Sequence, residues 1–184
     1  MFKTYLQLGF EHILDLQGYD HILFIVTLCA IFSFSQWRKL LVLVTAFTVG
    51  HCLTLALSAL SIVNIDAGLV EFLIPLTILL TALYNIIKKD HSNMSIHYVM
   101  TSLFGLIHGL GFSNFFKALL GKEESIIKPL LAFNIGVELG QIIIVAVTMV
   151  LSYILSLAGF SRRQWTVLVS VISIIISIYL MIGR

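Results

Sequence analysis

His51, His108 and Glu138 each stand roughly ten residues, or about 15 Å of helix, inside long apolar runs of the chain. A carboxylate in the middle of a bilayer costs about 2.5–3.5 kcal/mol, so such a residue is rarely placed there without a partner. Asn134, Glu138 and Gln141 follow i, i+4, i+7 spacing and share one helix face. Thr48, His51 and Thr54 share a face of another run, and Asp20, His21 and Glu71 open two more. His12 lies just ahead of the first run. Imidazole and carboxylate donors together suit a borderline divalent metal such as nickel, cobalt or zinc. A single membrane histidine is commonly an interhelical hydrogen-bond partner, and Asn134 and Gln141 are readily explained as packing glue. Three histidines and up to three carboxylates at coordinated depth are more than packing requires. The expectation is that His51, His108 and Glu138 meet at one site, with Asp20 and His21 at its mouth and His12 or Asp15 reaching towards them.

Helices must bring these residues to one level. Residues 1–17 carry Phe2, Tyr5, Leu6, Phe10, Ile13 and Leu14 on one stripe, with Lys3, Gln7 and Glu11 away from it. This predicts an amphipathic helix lying at the membrane interface, ended by Gly18 and removable without unfolding the rest. Six spans are expected at about 19–34, 40–62, 69–87, 96–119, 130–157 and 165–182, the third interrupted by Pro75. Gly105, Gly109 and Gly111 surround His108, and Gly136 and Gly140 flank the Glu138 face, where they permit close helix approach. The predicted fold is therefore all-α: a six-helix transmembrane bundle with an N-terminal interfacial amphipathic helix, one domain over 1–184.

Composition agrees. The 184 residues are 59% hydrophobic and 11% charged, against about 25% charged in an ordinary soluble domain, so the chain belongs in a lipid bilayer. A formal net charge of +2 gives no reason to expect nucleic-acid binding. Cys29 and Cys52 lie inside apolar runs and read as small hydrophobes. With six spans, the turns holding Arg38-Lys39, Lys88-Lys89 and Arg162-Arg163 fall on one side. That side is then cytoplasmic and both termini are outside. His91 and His97 fall at the loop before the fourth span and are expected to be solvated.

The segments GFEHILDLQGYDHILF, FTVGHCLTL, VEFLIPLTI, FGLIHGLGF and FNIGVELGQ, in this order from Gly9 to Gln141, resemble the HupE/UreJ family of small membrane proteins. The resemblance implies a nickel or cobalt permease of a bacterial cytoplasmic membrane, associated with hydrogenase and urease maturation. It places His12, Asp20, His21, His51, Glu71, His108, Asn134 and Glu138 on the family's polar motif positions. His12 and Asp20-His21 also resemble the HxxxxDH signature of other nickel and cobalt permeases, here with a longer separation through Asp15-Leu16-Gln17. Cys52 stands where a small hydroxyl residue is more usual. The expected ligands are thus His12, Asp20, His21, His51, Glu71, His108 and Glu138, supported by Thr48, Thr54, Asn134 and Gln141. Beside transport stand two alternatives: an intramembrane zinc-type hydrolase, in which a histidine-held metal activates water, and a membrane scaffold or accessory protein. No HExxH helix motif supports the enzyme. Expected partners are the bilayer, the metal ion and, as a possibility left open, further copies of the chain.

Overall fold

The computed structural model describes residues 2–88, 94–121 and 125–183. Seven α-helices appear among them, with no strand: α1 (Phe2–Ile13), α2 (Asp20–Cys29), α3 (Trp37–Ala59), α4 (Ala67–Ile87), α5 (Met94–Leu120), α6 (Ile127–Leu157) and α7 (Arg162–Gly183). A single 3-10 turn, Phe34–Gln36, leads into α3. Helices α3 to α7 are each long and apolar enough to cross a membrane. The chain is an integral membrane protein. His91 and the loop residues beside it lie outside the described residues.

The helix ends follow local chemistry. Asp66 caps α4 by accepting the Leu69 amide at 3.0 Å, as an aspartate at this position should. Ser61 adopts a left-handed φ of 59° where α3 gives way to the next loop. The Lys117 ammonium donates to Ser61 Oγ at 2.6 Å, tying the end of α5 to the end of α3. At the opposite end, the Arg163 guanidinium donates to the Asn85 and Ile86 carbonyls at 3.0 and 2.6 Å, satisfying the last turn of α4. Helix α7 therefore runs antiparallel to α4 and finishes beside α4's start. Tyr5 of α1 donates to the Leu119 carbonyl at that same end, so both termini share one end of the bundle. Arg38, Lys39, Lys88, Arg162 and Arg163 cluster at the other, called here the basic end.

The N-terminal region departs from expectation. Helix α1 does not lie apart from the bundle. It buries Tyr5, Gly9 and Ile13 and runs parallel to the first half of α6. A methyl group on Gly9 would overlap the Phe133 carbonyl, and one on Gly136 would overlap the Leu6 carbonyl. Gly140 is covered by Ile13. The glycines thus allow backbone contact that an apolar stripe alone would not, and α1 is held in the core. The expected first span is also shorter, since α2 has only ten residues. It occupies the basic half: Asn85 Nδ2 donates to Thr27 O at 2.8 Å, and Thr166 Oγ1 donates to Ala30 O at 2.8 Å. At 1.5 Å per residue α1 and α2 measure about 18 and 15 Å, and they fill successive halves of the bundle's length. Leu14 to Tyr19 form the break between them.

Helices α3 and α5 pack parallel through Gly50 and Gly105, whose Cα positions meet the Ser102 and Phe47 carbonyls. Between these layers lie the fully buried rings of Phe24, Phe47, Phe116 and Phe133. His97, expected in solvent, is only 4% exposed, because α5 starts early enough to carry it against Phe32 and Tyr84.

Candidate metal centre

The break between α1 and α2 builds the centre. Asp15 Oδ1 accepts the Gln17 amide at 2.8 Å, an Asx turn that stops α1 and redirects the chain. His12 then sits in the last turn of α1, and Asp20 and His21 in the first turn of α2. Broken helices of this kind expose carbonyl ends that favour cations, while an acidic residue offsets the positive start of the next half-helix. Asp20, buried in that first turn, is positioned to do so.

His12, His21 and His51 each offer a ring nitrogen, and these three atoms lie within 4.8 Å of one another. The ring centroids are 4.7 Å apart for His12–His21, 5.9 Å for His12–His51 and 6.0 Å for His21–His51. His51 is fully buried and His21 nearly so. Nε2 of His12 and Nε2 of His21 have no hydrogen-bond partner in the protein, and the His51 ring has only Asn134 beside it, outside good hydrogen-bond geometry. Orphaned buried polar atoms are costly, and neighbouring histidines that carry them call for a further partner. Phe112 and Phe133 stack around them, at 4.0 and 5.7 Å from the His12 ring.

His108 adjoins this group, its ring 4.9 Å from that of His21. Its orientation follows from Thr77. The Thr77 hydroxyl donates its one hydrogen to the Ile74 carbonyl at 2.7 Å. Its 3.0 Å contact with His108 Nε2 therefore takes the hydrogen from that nitrogen. The lone pair is then on Nδ1, which is buried and without a hydrogen-bond partner.

The other expected ligands are placed elsewhere. Glu138 Oε1 accepts from Thr45 Oγ1 at 2.5 Å, roughly a turn and a half of α3 from His51. Gln141 accepts from Thr48 at 2.8 Å, so both pairs join α3 to α6. Asn134 lies beside His51 and donates to the Leu130 carbonyl at 2.8 Å. Thr54 bonds back to the carbonyls of its own helix and fits over Gly109. Glu71 is exposed near the start of α4. Among the described residues, no carboxylate or cysteine joins the three-histidine group. An open cleft of about 440 Å³, lined by Leu8, Glu11, His12, Asp15, Phe112 and Phe115, leads to His12.

A comparison with protein families matches residues 1–183, all but the last residue, to the family described as HupE / UreJ protein. No curated protein and no solved structure matches the chain. With this match over essentially its whole length, the chain belongs to the HupE/UreJ family.

Proposed function

We propose that the protein is a membrane permease for a divalent transition-metal cation of the nickel or cobalt class. His12, His21 and His51 capture the ion at the break between α1 and α2, and His108 is the fourth donor. The observation that carries this reading is the meeting of three imidazole nitrogens from α1, α2 and α3 within 4.8 Å. An all-imidazole site suits nickel, cobalt and zinc. The absence of a carboxylate from the three-ligand group keeps the site neutral, which favours reversible capture of cargo over permanent retention. Glu11 and Asp15 in the adjoining cleft supply negative charge along the approach.

The chain crosses the membrane six times in this reading, with α1 and α2 together forming the first pass. The five basic residues at one end support an orientation with that end in the cytoplasm of a bacterial cell and both termini outside. Transport is preferred to hydrolysis because the group that would act as general base, Glu138, is bonded to Thr45 and set apart from the histidines.

Purified full-length protein in proteoliposomes tests the reading. Nickel should accumulate inside at a rate that saturates with concentration, and His51→Ala should abolish both binding and uptake. Wild-type protein that binds nickel tightly at one equivalent and moves none would overturn it.

A further inference from the structure

The basic half of the bundle contains a second polar cavity, remote from the three histidines. It holds about 10 Å³, enough for one water-sized sphere, and is lined by Thr81, Tyr84, Asn85, His97 and Thr101 among apolar neighbours. His97 is 4% exposed, its ring edge-on to Tyr84 at 5.3 Å. A cavity with an imidazole, an amide and three hydroxyls is an unusual thing to build inside an apolar segment, because each polar group there is costly.

Its position relates it to the metal centre. Thr77, Thr81 and Asn85 follow i, i+4, i+8 spacing and share one face of α4. The first touches His108 Nε2, and the other two line the cavity. The step from Thr77 to Asn85 is about 12 Å along the helix. Thr81 donates its hydrogen to the Thr77 carbonyl at 2.8 Å, so its hydroxyl has only lone pairs left to offer. Phe24 and Phe104 stand between the two places: Phe24 is 5.1 Å from His108 and 6.1 Å from Phe104, which also lines the cavity.

We propose that this cavity is a second, transient cation station, with His97 as its imidazole ligand and Thr81, Asn85 and Thr101 as oxygen ligands. It rests on the permease reading and extends it: the ion passes from His108 along the Thr77–Thr81–Asn85 face of α4 before release at the basic end. Among the described residues no carboxylate lines the cavity, and with a single imidazole the station is weaker than the all-imidazole centre above it. That order of affinity suits passage towards the basic end.

The test uses intact protein and Ni²⁺ alone, measured by equilibrium binding, by thermal melting and by uptake into proteoliposomes. His97→Ala is expected to leave equilibrium affinity at the three-histidine centre unchanged while slowing uptake about tenfold or more, the range seen when a metal-supporting group is removed. Thr81→Val, which keeps the volume, should slow uptake with an unaltered melting temperature. Wild-type uptake rates in both variants would overturn the station. So would a loss of uptake in His97→Ala that only follows a loss of folded protein, with Thr81→Val normal. The permease reading fails on a separate result, an absence of uptake by the wild type.

Discussion

Thr77 selects which nitrogen of His108 keeps its lone pair, and it does so with one hydroxyl hydrogen committed to Ile74. Thr77→Val keeps the shape and removes the selection. Nickel affinity should fall about 10- to 100-fold, as it does when the partner orienting a ligand is lost. Equilibrium binding beside a melting curve checks this, since a merely structural role would lower the melting temperature and spare affinity. Glu138 should behave in the opposite way. Its partner is Thr45, so Glu138→Leu, which removes the acceptor, should leave nickel affinity unchanged and cost about 1 kcal/mol of stability, the usual scale of an interhelical hydrogen bond in a bilayer. His51, His108 and Glu138 were all recognisable as costly residues in apolar runs, and counting residues gave only an approximate depth for each. Counting does not give azimuth. Glu138 lies about a turn and a half from the His51 level and faces Thr45, which only the packing of α6 on α3 decides. His97 was misread for a related reason: two residues of extra helix at the start of α5 turn a rim position into a buried one.

Helix α1 carries the same lesson for a whole element. Its stripe of Phe, Tyr and Leu suits a membrane interface and a protein core equally well. The deciding residue is Gly9, because it meets the Phe133 backbone, while Gly136 and Gly140 receive Leu6 and Ile13 across the same contact. Gly136 and Gly140 were legible as a close-approach face, while the helix that approaches them was not. A larger side chain here has nowhere to go. Gly136→Leu should destabilise the bundle by about 1–3 kcal/mol or more, the range for overpacking a core, and should weaken nickel binding by displacing His12. Melting and binding measured together check it. Deleting residues 1–16, expected to weaken metal capture but spare the bundle while α1 was read as an interfacial helix, should now lower the melting temperature as well as remove His12. A truncated protein that melts like the intact one would return α1 to the interface.

Across the bundle, the expected spans after the first agree with α3 to α7 to within a few residues, since long apolar runs and their caps define them well. The expected span at 19–34 has no matching long helix, because α2 has only ten residues, and the polar break that divides it from α1 is where the three histidines meet. With both termini at one end, cysteines introduced as Asp66→Cys and Ser161→Cys should react with an impermeant reagent from opposite sides of the membrane, the first from outside. Reaction of both from one side would refute the six-pass arrangement. The metal ligands themselves can be read by X-ray absorption at the nickel edge on full-length protein loaded with Ni²⁺. A first shell of imidazole nitrogens is expected, with one fewer after His51→Ala and no change after Glu138→Gln. A shell of carboxylate or thiolate donors, or one that His51→Ala leaves intact, would show that the three histidines at the α1–α2 break do not hold the ion.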